Sequence, residues 1–353
     1  MRDPAVDQLL QYLQRTGGDE TVDEGLLWIA DENALQALAA VAPNANITLI
    51  SNRFDVAQRA RELGFAARFS DFDFTPLADN SIRTAIYRIS KEKPVVHHIL
   101  NEAWRVLAPG GELVLSGLKQ EGIKTFIEKA GVLFGNAQSR KAGKVYLGTA
   151  LKQHATPAPE PLDSKQYSAL RLIETGQLDF YSKPGLFGWD KIDQGSAFLV
   201  EQLPRILPGA GRPPASLLDL GCGYGYLSIM TRDRALKRRV ATDNNAAALL
   251  AMARNAEHYG LPVEVVADDC GGQLAPGFDL ILCNPPFHQG FSVDGALTDK
   301  FLRQTRRLLS AQGMAVFVVN QFIPLERAAQ KYFRVIDTAG RNPSFKLIRL
   351  AQR

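Results

Sequence analysis

Cysteine, methionine and histidine are scarce in this chain: three, four and five among 353 residues. Cys222, Cys270 and Cys283 form no Cys-x-x-Cys pair and leave one over. That excludes a disulfide framework and a cysteine-built zinc site, which needs four clustered ligands. All three are expected to be small, reduced fillers, and no metal is expected. No apolar run approaches the roughly 18 residues that a membrane span requires. The first residues, "MRDPAVDQLLQYLQRTGGDE", lack the apolar core of a signal peptide. A cytoplasmic protein without a membrane partner is expected. Neither sign of charge dominates, with 41 Lys and Arg against 37 Asp and Glu. The remaining composition, 46% hydrophobic and 8% aromatic, is that of a globular protein. The length favours two cores over one.

The basic residues are unevenly spread. Residues 119–152 carry Lys119, Lys124, Lys129, Arg140, Lys141, Lys144 and Lys152 against Glu121 and Glu128, and "RDRALKRR" occupies 232–239. Two such patches fit a polyanion such as RNA, and equally fit solvated helix faces. Three prolines in "HATPAPEPLDSK", 154–165, prevent a helix and mark a linker. The expected division is 1–155 as a first domain, 156–210 as linker and lid, and 211–353 as a second domain.

The second domain alternates strands ("SLLDL", "RRVATD", "VEVVADD", "FDLILCN", "MAVFVVN") with helical stretches, among them "YLSIMTRDRAL" and "AAALLAMARNAEHYG". This alternation predicts a doubly wound, mostly parallel sheet with both faces covered. The first domain repeats the rhythm more faintly. "KPVVHHILNEAWRVLAPGGELVLSG" (93–117) matches the design of "TDKFLRQTRRLLSAQGMAVFVVN" (298–320): long helix, glycine turn, apolar strand. An internal duplication is expected. The first copy lacks a glycine loop after its first strand and lacks the chemistry described next, so it reads as degenerate. His97 and His98 fall on its helix and are expected to be structural.

In "LLDLGCGYGYLS", 217–228, Gly221, Gly223 and Gly225 lie between a strand and a helix. Glycines there let the backbone turn sharply and approach a ligand. Asp243 ends the next strand, where its carboxylate can accept from two ribose hydroxyls. A dinucleotide fingerprint would place its third glycine at 226, where this chain has Tyr226. Asp219 can engage a cationic amino-acid end. Asp268 or Asp269, after the third strand, can take an adenine amine. Asn244 is a further candidate for the ligand, its other role being to cap the next helix. The pattern resembles the glycine-rich motif of class I S-adenosylmethionine-dependent methyltransferases.

"NPPFHQG", 284–290, follows the apolar strand "FDLILC". Pro285 and Pro286 fix φ and remove two backbone donors, which leaves the Asn284 side-chain oxygen and the Pro285 carbonyl as acceptors. Two convergent acceptors hold a planar exocyclic amine, and Phe287 offers a face for its ring. His288 is a candidate proton acceptor, or a loop hydrogen-bond partner. Asn-Pro-Pro-aromatic resembles the signature of methyltransferases acting on amines conjugated to planar systems. The longer stretch is similar to the bacterial ribosomal RNA guanine-N2 methyltransferases, both the C-type enzymes of small-subunit RNA and the related G-type enzymes of large-subunit RNA. Pro184, Phe187, Asp193 and Gly195, in "KPGLFGWDKIDQG", match the upstream segment of that family.

The resemblance implies two tandem Rossmann-like class I methyltransferase domains, the first degenerate and serving RNA docking or folding. It implies S-adenosylmethionine as methyl donor and a lid containing Phe187 and Asp193 that closes over donor and base. The implied reaction is methylation of the N2 amine of a guanine in 16S ribosomal RNA, the 30S subunit or its assembly intermediate being the expected partner. The alternatives are guanine-N2 methylation of 23S RNA and adenine-N6 methylation of nucleic acid. A monomer is expected, since two tandem copies replace a dimer interface. Lys346, before the last strand, is either an RNA phosphate contact or an ordinary surface lysine.

Overall fold

The computed structural model describes residues 3–16, 25–153, 159–210, 212–286, 288–289, 292–293 and 295–352. The chain forms two compact units, Met1–Ala169 and Leu170–Arg353. The division therefore falls after 169, whereas the prolines place it near 155. Residues beyond the prolines are tied back into the first unit. Asn101 exchanges hydrogen bonds with the backbone of Leu162 at 2.8 and 2.9 Å. His97 Nδ1 meets the Asp163 carbonyl at 2.8 Å, and the buried Tyr167 hydroxyl donates to Asp71. His98 Nε2 likewise meets the Phe72 carbonyl at 2.9 Å, so both histidines serve structure.

The first unit holds one sheet of β1 (Leu26–Ala30), β2 (Ile47–Ser51), β3 (Ala66–Phe69), β4 (Ile82–Arg88), β5 (Leu107–Leu118), β6 (Ala137–Ala142) and β7 (Val145–Leu151). Its order is β3-β2-β1-β4-β5-β7-β6. All neighbours are parallel except β7, which runs antiparallel to β5 and β6.

In the second unit a short ribbon, β8 (Arg171–Ile173) and β9 (Phe180–Ser182), leads to the helix Gln194–Ile206. The sheet follows, built from β10 (Ser216–Leu220), β11 (Arg238–Asp243), β12 (Glu264–Ala267), β13 (Phe278–Cys283), β16 (Leu309–Asn320), β17 (Val335–Arg341) and β18 (Phe345–Ala351). A two-residue pair, β14 (His288–Gln289) and β15 (Ser292–Val293), lies outside it. The sheet order, β12-β11-β10-β13-β16-β18-β17, repeats that of the first unit strand for strand. β18 is again the antiparallel member. The duplication is thus one of topology. β10 and β13 carry apolar residues on both faces because helices cover both: Leu218, Leu220 and Ile281 pack on one side, Leu217, Leu280 and Leu282 on the other.

One helix is shorter than its sequence spacing predicts. The stretch after the glycine loop is helical only over Tyr226–Met230. Thr231 Oγ1 bonds back to the carbonyls of Leu227 and Ser228. The buried Arg239 guanidinium takes the carbonyls of Ser228 and Thr231, satisfying the helix end where it stops. Arg239 therefore leaves the basic patch at 232–239 and becomes a structural residue. Lys346 is also buried and ion-paired with Glu326 at 2.7 Å, so it is neither a surface lysine nor available to phosphate. Cys222, Cys270 and Cys283 are buried and held in no disulfide.

In the first unit, Lys152 is 1% exposed. Its ammonium donates at 2.7 Å to Asn80 Oδ1 and to the carbonyls of Trp104 and Leu107, and it sits 4.3 Å from the centre of the Trp104 ring. Burial lowers its pKa. The three acceptors use all three ammonium protons, and two of them are carbonyls at the end of the helix Lys93–Val106. Lys152→Met is expected to strand these acceptors and destabilise the first unit by about 2–4 kcal/mol, measured by urea unfolding. An unchanged midpoint would refute this account.

Candidate active site

The site forms at the carboxyl ends of β10, β11 and β13. β10 lies between β11 and β13, parallel to both, with Asp219 opposite Ala241 and Leu282. Two residues further along the same register, the glycine loop leaves β10 beside Asp243, and Asn284 leaves β13 beside Gly221. Neighbouring strands are about 4.8 Å apart, so register alone brings the two motifs together.

The loop turns through left-handed backbone at all three glycines. Gly225 sits at φ 94°, where any other residue is strained, and a Cβ there would lie 2.1 Å from Met252 Sδ and force that side chain to move. A Cβ on Gly223 would meet nothing within 4 Å, so open space lies over the middle of the loop. Asp243 Oδ2 accepts from the Gly223 amide at 3.0 Å and Oδ1 from the Asn245 amide at 2.9 Å. The loop thereby fixes the carboxylate. Asn245, not Asn244, caps the helix Ala246–His258, its side chain accepting from the Ala247 amide. Asn244 is removed from the capping role.

Asp219 is 1% exposed. Its Oδ2 accepts from the Ser228 amide and hydroxyl at 3.0 and 2.8 Å. Its Oδ1 has no hydrogen-bond partner among the described residues. Burial raises its pKa to about 7. Asp268 is buried and accepts from the Gln273 amide at 2.8 Å. Asp269 pairs with Lys300.

Asn284 is half-buried, Pro285 buried and Pro286 exposed. The Asn284 amide nitrogen donates to Asp193 Oδ1 at 2.7 Å and to Ser196 Oγ at 2.8 Å. Asp193 is the N-cap of the helix Gln194–Ile206, its Oδ1 accepting from the Ser196 amide at 2.8 Å. The structure thus joins Asp193 directly to Asn284. Phe187 is 83% exposed. Phe287 lies outside the described residues, as does the side chain of His288.

Two residues of the site escape a sequence reading. Ser196 gives no signal of its own. Asn255 is fully buried, and its side chain exchanges hydrogen bonds with the backbone of Tyr181 at 2.6 and 2.9 Å and donates to the Tyr224 carbonyl at 2.8 Å. It pins β9 to the glycine loop, and Phe180 stacks on Tyr224 with centroids 4.1 Å apart. A polar residue in line with Ala248, Ala251 and Met252 on the buried helix face was the available signal.

The first unit offers the same frame with other residues. Both sheets carry the same irregularity: Ile82 pairs Leu107 and then Thr84 pairs Glu112, as Phe278 pairs Leu309 and then Leu280 pairs Met314. Counting from there, Arg88 stands where the second unit has Asn284. The β1 register places Trp28 at Asp219, and Ala30, Glu32 and Ala34 at the three glycines. Ser51 stands at Asp243. Arg88 is buried and bound to Asp3, Glu121 and the Ile89 carbonyl. Acceptors, acid and glycines have all been replaced, so this copy is degenerate.

Among the described residues no His, Cys, Asp and Glu cluster could hold a metal, and no helix is long and apolar enough to cross a membrane.

The methyltransferase small domain family model matches residues 177–349. Over 92% of its length the chain is 25% identical to the ribosomal RNA small subunit methyltransferase C of Shewanella loihica, covering 93% of that protein. It is 30% identical to that of Hahella chejuensis over 72% of this chain and 74% of the relative. Among solved structures, the Thermus thermophilus 16S rRNA N2 G1207 methyltransferase, in complex with AdoMet and guanosine, superposes with a TM-score of 0.81. That match covers 100% of this chain and 92% of the other at 23% identity, a likeness of fold. With its two tandem sheets and one surviving glycine loop, the chain belongs to the ribosomal RNA small subunit methyltransferase C family and is a methyltransferase.

Proposed function

We propose that the second unit transfers a methyl group from S-adenosylmethionine to the exocyclic N2 amine of a guanine in small-subunit ribosomal RNA. The observation that carries this reading is the pinned Asn284 amide beside the glycine loop: its nitrogen is held by Asp193 and Ser196, so its oxygen is left for an incoming amine. The names of the relatives supply the RNA and the subunit.

The site's residues fit the donor. Asp219 Oδ1 is a buried acceptor without a partner among the described residues, suited to a cationic amino-acid end. Space over Gly223 admits a ligand against the loop backbone. Asp243, held by two amides, faces ribose hydroxyls, and the turn at Asp268 and Asp269 receives the adenine. When bound, the donor supplies an electrophilic methyl carbon on a sulfonium, and transfer releases a thioether and one proton.

The chain's own contribution is positioning. The Asn284 oxygen and Pro285 carbonyl accept the two amine protons, which aims the nitrogen lone pair at the donor side and fixes the base as a near-attack partner. Phe187 belongs to the lid; Phe287, which lies outside the described residues, is the aromatic residue the motif supplies for the base. His288 forms part of the loop beyond the elbow. A guanine reaches this elbow only when unpaired or flipped out, which favours a 30S assembly intermediate as substrate. The first unit, having lost its donor site, serves RNA docking or folding, and the protein acts as a monomer.

Asn284→Ala is expected to lower kcat by about 100-fold or more, while S-adenosylhomocysteine affinity by isothermal titration stays within about twofold. Loss of affinity in step with activity would contradict the assignment. Nucleoside mass spectrometry of the product should show N2-methylguanosine; N6-methyladenosine would replace the substrate.

A pH test follows from Asp219. Its folded pKa of about 7 lies above the ordinary carboxyl value, so the free protein binds the extra proton between about pH 4 and 7 and loses stability as pH rises through that window. A cationic ligand favours the ionised form. Donor affinity is therefore expected to fall by up to about tenfold per pH unit below pH 7, and Asp219→Asn should flatten that dependence. An unchanged slope in the variant would assign the titration elsewhere.

A further inference from the structure

The Asn284 carboxamide has two N–H donors and both are occupied, by Asp193 Oδ1 and Ser196 Oγ. A carboxylate can only accept. The amide therefore cannot flip, since its oxygen would then face Asp193 Oδ1 at hydrogen-bond distance, acceptor against acceptor. The segment that imposes this is built for it. Asp193 caps the helix through the same oxygen. Ser196 is buried. A Cβ at Gly195 would lie 3.1 Å both from Asp193 Oδ1 and from the Phe345 ring, so glycine keeps the carboxylate and the helix start in place. One short stretch, "DQGS", starts a helix and orients a side chain 91 residues later.

We infer that Asp193, assisted by Ser196, is the positioning residue that locks Asn284 as a pure acceptor toward the substrate, its oxygen facing the target nitrogen. As that nitrogen becomes cationic, the acceptor opposite it strengthens, so the lock acts most in the transition state. It also sets specificity: the elbow accepts an amine and repels a ring carbonyl placed at the same point. This inference rests on the reading of Asn284 as the amine-binding residue.

The test uses the full chain with Asp193→Ser, which keeps a capping oxygen too short to reach Asn284, and Asp193→Asn, which keeps an oxygen at the same place without the charge. Single-turnover transfer from tritiated S-adenosylmethionine to 16S RNA transcribed in vitro gives the rate. Selective 15N-asparagine labelling gives the Asn284 side-chain signals, assigned by their loss in Asn284→Ala. Asp193→Ser is expected to slow transfer about 10- to 100-fold, with S-adenosylhomocysteine affinity within about twofold, and its Asn284 amide protons should exchange faster with water. Asp193→Asn should recover most of the rate and the slow exchange. In an Asn284→Ala background, Asp193→Ser should cause no further loss. The inference is overturned if Asp193→Ser transfers at the parental rate, if its loss adds to that of Asn284→Ala, or if Asp193→Asn is as impaired as Asp193→Ser. A product other than N2-methylguanosine would overturn the substrate reading alone, because the amide signals and the non-additivity do not depend on which amine is methylated.

Discussion

The parallel register of β10 with its two neighbours is the constraint on which the site rests. With Asp219 held opposite Ala241 and Leu282, three strand ends open at one level. The glycine loop, Asp243 and the Asn-Pro-Pro elbow emerge side by side. A slip of one residue would exchange the two faces of the strand and carry Asp219 to the side where Leu218 and Leu220 pack, so burial of those leucines fixes the geometry of the site as firmly as any contact in it.

Around that register, two side-chain amides complete the arrangement. Asn255 stands in for a neighbouring strand: it satisfies both backbone groups of Tyr181 and a carbonyl of the glycine loop. Asn284 is held from the other side by the cap of the helix Gln194–Ile206. The segment before β10 is thus bonded at one point, through Asn255, to the glycine loop and at another to the elbow. Buried amides are costly unless every donor is used. These two are extensively satisfied, which gives each a single orientation.

The first unit shows how little of the fold depends on the chemistry. The sheet order, the antiparallel seventh strand and even the irregularity between Ile82 and Thr84 persist. Trp28, Ala30, Glu32, Ala34, Ser51 and Arg88 occupy the positions that Asp219, the three loop glycines, Asp243 and Asn284 hold in the second unit. The same frame folds without glycines at the first loop because a short 3-10 turn at Glu32–Ala34, capped by Asp31, takes its place. In such a copy Arg88 needs Asp3 and Glu121 to be buried at all.

Whatever depends on neighbours along the chain could be read from the residues alone. Apolar, unalternating strands gave the parallel sheet, positive-φ demand gave the glycine turn, and consecutive prolines gave a rigid elbow. Those signals also showed that only the second half keeps the chemistry. Folding settled everything that requires a distant partner. It assigned Lys346 to Glu326 and Arg239 to the end of a short helix, so neither is free for RNA. It moved the unit boundary past the prolines, because residues 159–169 find their hydrogen bonds in the first unit. It bonded Asp193, expected in the lid, to Asn284. A carboxylate and an amide 91 residues apart carry no mark of each other in the chain; only the folded sheet brings them within 2.7 Å.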